Sequence, residues 1–316
     1  MQSQPTGCQA LCKRTPGRVE PLPAGVLKGI PESGSSLRLR EVTQMSIITL
    51  TRGAFSGGPE LAERVAAQLG YRRVSREVLM KASEGYGIPE AKFTEILDTA
   101  PRWWERWQEG LRLYRIVLQA AMCEVAQSGN LVYHGHAGQD LFPGIRHVLR
   151  VYLTAPMSYR IEQVRAREGM SDTAALHYIE QVDKARTRRL QALFGGDWRD
   201  PSRYDLVINV GNMSLESAAH LIVEASRRPE YQPTADSERA FQDLTIAARV
   251  QAALIVSPKT RNLTINVDVE NGRVHLSGIL ANLDLERDII HLAESVPGVV
   301  KVDSEFESPP IEYMYP

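Results

Sequence analysis

Residues 47–70 combine an apolar run, a glycine-bearing turn and an amphipathic segment, IITLTRGAFSGGPELAERVAAQLG. This order predicts a buried strand, a turn and a helix. Gly57 and Gly58 allow backbone N–H groups to approach a polyphosphate, and a helix that begins near Pro59 directs the positive end of its dipole to the same place. In the pattern G-x-x-x-x-G-K-[ST], Gly53 and Gly58 hold the glycine positions, but Pro59 replaces the lysine. The sequence therefore predicts a phosphate-binding loop that lacks its usual cation.

The overall composition limits the kind of protein this can be. The 316 residues are 43% hydrophobic and 24% charged, with a formal net charge of -1. A near-neutral chain has no general attraction to nucleic acid or to an acidic membrane surface. Three cysteines are too few for a disulfide framework or a zinc cluster, and no run approaches the ~18 apolar residues of a membrane span. We therefore expect a cytoplasmic protein with no transmembrane segment and no nucleic-acid partner.

From residue 45 to residue 226, short apolar runs alternate with longer amphipathic ones, which is typical of helices packed on a mostly parallel sheet. Ser158, Ser171 and Ser214 each stand where an N-cap hydroxyl would accept from a first-turn amide. The predicted strands are Ile47–Thr51, Leu131–His134, Val148–Leu153 and Leu206–Asn209. The predicted helices are Pro59–Leu69, Arg76–Gly85, Leu111–Ser128, Ser158–Glu168, Asp172–Leu193 and Leu215–Ser226.

Two polar tails and a linker divide the rest of the chain. Residues 1–44 are rich in Pro, Gly, Ser and Arg and predict a disordered tail, or a gene whose translation begins at Met45. Residues 227–238 contain two prolines and predict a linker. Residues 239–308 predict a second, smaller α+β domain with the order helix, two strands, helix and strand, in which Asn271-Gly272 indicates a hairpin. Residues 309–316 predict a terminal loop.

The loop and several later motifs resemble those of the cytidylate kinase-like proteins, a branch of the P-loop nucleoside monophosphate kinases. Their loop pattern S-R-x-x-G-S-G-G-R-E-I-A is matched here at Arg52, Ser56, Gly57, Gly58 and Glu60. Further matching segments follow in order: Ser75-Arg76-Glu77, His134–Ala137, Arg160–Gly169, Asp183–Arg186 and Asp197–Asn209. The last of these, DWRDPSRYDLVIN, is very close to the family's D-W-x-D-P-x-x-Y-D-L-V-I-N. The resemblance implies a three-layer P-loop fold with a parallel sheet.

The resemblance also implies roles for individual residues, with ATP and Mg2+ as the nucleotide and metal. The donor phosphates would be bound by Arg52, Ser56, Gly57 and Gly58, and the acceptor phosphate by Arg76. The catalytic arginines that neutralise charge during transfer would be Arg160, Arg167 and Arg186. His136 stands where the family has an arginine, and Arg189 is a further candidate. His134 and His136 have no evident third ligand, so no metal site is predicted within the protein.

The C-terminal region resembles a BON domain. Its signature V-x-V-x-N-G-x-V-x-L-S-G runs from Val267 to Gly278, and the closing segment is Val296–Val302. The resemblance implies an unknown ligand or protein partner for this domain.

Three functions remain open from the sequence. The leading prediction is an ATP-dependent nucleoside monophosphate kinase that phosphorylates a CMP-like or dCMP-like acceptor. The alternative is a nucleotide-binding sensor that has lost catalysis, a hypothesis that Pro59, Ser75 and His136 favour. A nucleic-acid binder, the last of the three, would instead use Trp103, Trp104 and Trp107 with their neighbouring arginines, although these tryptophans suit a core between two helices better.

Overall fold

The computed structural model describes residues 46–88, 104–135 and 137–309, with the backbone alone at residues 81–82 and 104–108. The predicted tail 1–44, residues 310–316 of the predicted tail 309–316, the tryptophan side chains at 103, 104 and 107, and His136 lie outside these described parts. Within them, no helix combines the length and apolar character that crossing a membrane requires.

The first domain is built on a five-stranded sheet in which every pair of neighbouring strands is parallel, as predicted. The strand order is β2-β3-β1-β4-β5. Strand β1 lies at the centre, and its first five residues are buried on both faces, which explains why they carry no charged side chain. The strands are β1 (Ile47–Arg52), β2 (Arg72–Ser75), β3 (Leu131–His134), β4 (Val148–Thr154) and β5 (Leu206–Asn209).

Helices cover both faces of this sheet and complete the three layers. One face packs mainly against α1 and α7, and the other mainly against α3. The helices of this domain are α1 (Gly58–Leu69), α2 (Arg76–Ala82), α3 (Trp104–Ala126), α4 (Gly138–Leu141), α5 (Met157–Glu168), α6 (Asp172–Phe194) and α7 (Leu215–Ser226).

Two of the three predicted N-caps are confirmed. The side chains of Ser171 and Ser214 accept hydrogen bonds from the amides of Ala174 and Ser217. The prediction for Ser158 is wrong, because α5 starts one residue earlier and its N-cap is Pro156, which offers no side-chain acceptor. The fixed φ of proline suits a residue at the entry to a helix, which explains why α5 begins directly after Pro156.

The second domain has the predicted helix–strand–strand–helix–strand order. Strands β6 (Ile265–Glu270) and β7 (Arg273–Ile279) form the antiparallel hairpin, and β8 (Lys301–Glu307) pairs with β7 in parallel. Its helices are α8 (Ala235–Val256) and α9 (Leu285–Glu294). At the turn, Asn271 and Gly272 both have positive φ, and their amides donate to the carboxylate of Asp243.

Helix α8 belongs to both hydrophobic cores. Phe241, Ala248 and Ala252 on one face pack with the first domain, whereas Ile246 and Val250 on the other pack under the second sheet. The helix begins inside the segment predicted as a linker. The two domains therefore share a continuous helix.

Candidate functional site

The glycine-bearing loop lies between the end of β1 and the beginning of α1. The Gly53 amide donates to the Leu153 carbonyl at 3.1 Å, which fixes the loop beside β4. The buried Ser56 hydroxyl donates to the Gly53 carbonyl, also at 3.1 Å. Gly57 is the N-cap of α1 in the left-handed conformation, and no side chain caps the helix. The first-turn amides of α1 are therefore suited to an anion.

The side chain of Arg52 crosses the start of α1. A Cβ atom added to Gly58 would lie 1.7 Å from the Arg52 Cδ and 2.6 Å from its Nε, so only glycine admits the arginine here. Burial lowers the pKa of Arg52, and its Nη1 is buried with no hydrogen-bond partner in the described parts of the chain. A guanidinium thus stands at the loop whose sequence lacks the lysine.

Helices α5 and α6 hold the loop from the other side. Arg160 Nε donates to the Ala54 carbonyl at 2.7 Å, and its Nη2 donates to Asp183 Oδ2 at 2.5 Å. Asp183 Oδ1 accepts from the Ala54 amide at 3.3 Å, and Arg186 Nη1 donates to the Arg52 carbonyl at 2.6 Å. In this conformation Arg160 positions the loop, with two of its donors already engaged by protein acceptors.

The arginines at the loop repel one another. Burial, followed by the charge of Arg52, lowers the pKa of Arg186 to about 10, and Arg160 and Arg189 act in the same direction. Asp183 offsets part of this charge. A cluster of buried guanidinium groups with one contacting carboxylate is stabilised when an anion binds.

The predicted acceptor side forms a small cavity of about 20 Å³ between α2, α3 and α6. Arg76, Arg186, Arg189 and the Tyr114 hydroxyl provide its polar lining. The Arg76 Nε is buried with no hydrogen-bond partner among the residues described. A cavity of this size holds about one water molecule, so a nucleotide would enter only after α6 moves away from α2 and α3.

The D-W segment after α6 anchors the C-terminal half of that helix. Trp198 is 2% exposed, and its Nε1 donates to the Thr187 hydroxyl at 3.0 Å. The Arg186 guanidinium carbon lies 5.6 Å from the centre of the indole ring. The Tyr204 hydroxyl donates to the Trp198 carbonyl at 2.5 Å and so fixes the tryptophan to the strand β5 side of the sheet.

Comparison with known proteins assigns the chain to a family. Residues 47–212 match the model of the cytidylate kinase-like family, which is more than half of the chain. This chain belongs to the cytidylate kinase-like family. It is 30% identical to the cytidylate kinase of Ignicoccus hospitalis over 179 residues, which are 56% of this chain and 97% of that protein. The cytidylate kinases of Methanopyrus kandleri and Pyrococcus horikoshii are 24% and 27% identical, each over 57% of this chain and over 92% and 87% of their own lengths. Residues 242–310 match the BON domain.

In this cytidylate kinase-like domain, most of the predicted arginines converge. Contacts, charge effects or a shared cavity connect Arg52, Arg76, Arg160, Arg186 and Arg189. Arg167 differs, because it lies exposed in the last turn of α5, and none of its contacts within the described residues reaches the loop. The proposed role of Arg167 in transfer therefore stays a prediction, as does that of His136.

Other residues of the site were not assigned a role from the sequence. Tyr114 lies on an amphipathic helix whose pattern gives no sign that one of its aromatic side chains lines the acceptor cavity. Asp140 follows β3 and pairs with Arg203 and Gln139. Burial raises the pKa of Asp140 to about 6, although Arg203 opposes this.

The described residues contain no cluster of three metal-binding side chains. Glu60, at the hydroxyl position of the loop pattern, is exposed and pairs with Arg64. Mg2+ usually keeps several waters and binds through substrate phosphates with one or two carboxylates.

Proposed function

We propose that the chain transfers the γ-phosphate of ATP, bound as its Mg2+ complex, to a pyrimidine nucleoside monophosphate such as CMP or dCMP. The observation that carries the proposal is the Arg52 guanidinium across Gly58, at the loop where the lysine is missing. Family membership supports the phosphoryl transfer, and the cytidylate kinase relatives support the pyrimidine acceptor.

Each part of the site has a task in this reaction. The uncapped start of α1 and the loop glycines bind the donor phosphates, and Arg52 neutralises their charge. Arg76 and Arg189 hold the acceptor phosphate at the cavity beside Tyr114. Arg186 lies between the two groups and stabilises the charge of the transferring phosphoryl group. Phosphoryl transfer depends mainly on such positioning and positive charge, so a cluster of arginines is suitable machinery.

Closure of α6 over the loop would exclude water from the site of phosphoryl transfer. Arg160 and Asp183 link this helix to the loop backbone, so its position is coupled to the loop. Exclusion of water strengthens the charge interactions and limits hydrolysis of the donor. We therefore expect α6 to open for substrates and to close for transfer.

The deciding experiment measures ATP consumption against CMP, dCMP, UMP, AMP and GMP, with calorimetry of ATP binding on the same sample. We expect turnover with CMP or dCMP and weaker activity with purine monophosphates. ATP binding without turnover on any acceptor would instead support a nucleotide-binding regulatory protein. Absence of ATP binding at millimolar concentration would contradict both functions.

A further inference from the structure

A second cavity, of about 370 Å³, lies between the kinase-like and BON domains. Arg112 and Arg115 of α3 line one side, and Leu254 of α8 with Asn266 and Asp268 of β6 line the other. Ligand pockets commonly have volumes of about 300–1,000 Å³ and occur at domain boundaries. This cavity is therefore large enough for a small metabolite, unlike the one beside Tyr114.

The α3 side of this cavity concentrates positive charge. Arg112 and Arg115 are three residues apart on one helix and so are neighbours on its surface. Burial lowers the pKa of Arg112, and the charge of Arg115 lowers it further. Arg112 Nη2 donates to the Leu263 carbonyl at 2.6 Å, an acceptor that leaves its charge uncompensated. Arg115 is exposed and has no hydrogen bond or ion pair with the residues described.

The β6 side offers acceptors and an amide. Asp268 and Asn266 are exposed residues on this edge strand, where they can bind hydroxyl or amino groups. Leu254 and Ile116 add buried apolar side chains to the lining. The lining as a whole matches a molecule with an anionic group at one end and hydrogen-bond donors at the other.

We propose that the cavity between the domains binds a small organic phosphate, with its phosphate on Arg112 and Arg115 and its hydroxyl or amino groups on Asp268 and Asn266. Nucleotides and phosphorylated polyols such as glycerol 3-phosphate both have this chemistry. The site is separate from the phosphate-binding loop and does not depend on the proposed kinase activity.

Helix α3 contributes residues to both the cavity between the domains and the acceptor cavity. Its residues Tyr114 and Leu118 line the cavity that also contains Arg76, whereas Arg112 and Arg115 line the cavity between the domains. A ligand that draws Arg112 and Arg115 towards β6 acts on the helix that carries Tyr114.

The test uses calorimetry of the full chain with CTP, CMP, glycerol 3-phosphate and inorganic phosphate as probes. Arg115→Gln removes an exposed charge without a structural partner, and we expect it to weaken binding of one organic phosphate about 10-fold, which corresponds to about 1.4 kcal/mol. Asp268→Asn replaces one acceptor oxygen of the proposed hydroxyl or amino site by an amide group, and it should weaken binding of the same organic phosphate several-fold without weakening that of inorganic phosphate. Arg227→Gln, at the exposed arginine directly after α7, is the control and should leave binding unchanged.

The probes separate the sources of the phosphate. Weaker binding of CTP or CMP in Arg115→Gln identifies a nucleotide as the ligand of this cavity, and weaker binding of glycerol 3-phosphate identifies a phosphorylated polyol. The proposal is wrong if Arg115→Gln and Asp268→Asn bind every probe as the parent does, because all binding then occurs elsewhere. Binding of inorganic phosphate as strongly as every organic probe would also contradict it, since the β6 side would then contribute nothing.

Discussion

At the scale of single residues, we propose that Arg52, at the end of a strand, supplies the charge that a loop of this kind normally carries at the start of its helix. Its side chain lies across Gly58, and its Nη1 has no partner among the described residues. Hydrogen bonds to charged groups contribute about 1.5–3 kcal/mol. We expect Arg52→Gln to weaken ATP binding roughly 10- to 150-fold in calorimetry. Arg227→Gln, an exposed arginine far from the loop in sequence, should bind ATP as the parent does.

Pro59→Lys distinguishes lost charge from a damaged loop. Pro59 is exposed in the first turn of α1, so a lysine there restores the missing position of the loop pattern without entering the core. If Arg52 replaces that lysine, Pro59→Lys recovers part of the affinity lost in Arg52→Gln and adds little to the parent. A double variant as weak as Arg52→Gln alone would contradict this account.

His134 gives a test of stability against pH. Burial, followed by the charges of Arg52 and Arg73, lowers its pKa from 6.5 to about 4. Between pH 6.5 and 4 the unfolded chain therefore binds a proton that the folded protein does not, and the free energy of unfolding falls as the pH falls through this range. We expect His134→Gln to lose less stability than the parent between these pH values in urea unfolding. His177→Gln, at an exposed histidine, should follow the parent curve.

At the scale of elements, the sequence predicted four of the five sheet strands and missed β2. Strand β2 lies at the edge of the sheet and pairs only with β3, and Val74 is its one buried residue. A strand with a single buried residue has no apolar pattern that the sequence could show. Helix α4 has four residues and is too short to show a period. The convergence of Arg76 with Arg186 and Arg189 could be expected only from the family resemblance, since no spacing connects residues so far apart in the chain.

The D-W motif contributes directly to the position of one helix, because Trp198 holds α6 by a hydrogen bond to Thr187 and by the contact of its ring with Arg186. We expect Trp198→Phe to lower the free energy of unfolding by about 1–3 kcal/mol, because it removes the bond to Thr187 and leaves a small cavity. The kcat for CMP should fall as well, because Arg186 loses the indole beneath it. Thermal unfolding and the coupled assay measure the two effects.

Thr187→Val is the matched variant for that hydrogen bond. It removes the acceptor for the Trp198 N–H but leaves the indole ring beside Arg186. The stability losses of the two variants should not add in the double variant, because both remove the same bond. Fully additive losses would mean that the bond contributes nothing in solution.

At the scale of the whole molecule, α8 makes one folding unit of the two domains. Its residues enter both hydrophobic cores, and Arg249 on the same helix forms two hydrogen bonds to Glu124 of α3, at 2.5 and 2.8 Å. Because side chains of α8 belong to both cores, local unfolding of this helix would expose apolar surface in both domains. The domains should therefore unfold together.

Phe241→Ala tests this coupling. Phe241 is 1% exposed and its ring centre lies 6.1 Å from that of Phe142, so its loss should cost about 3–5 kcal/mol. All four tryptophans precede residue 199, so their fluorescence reports on the kinase-like domain, while amide hydrogen exchange in β6–β8 reports on the BON domain. We expect Phe241→Ala to lower the stability measured by both probes equally. Phe306→Ala, in the edge strand β8 and only partly buried, should cost less. If Phe241→Ala shifts the tryptophan transition but leaves hydrogen exchange in β6–β8 unchanged, the domains fold independently.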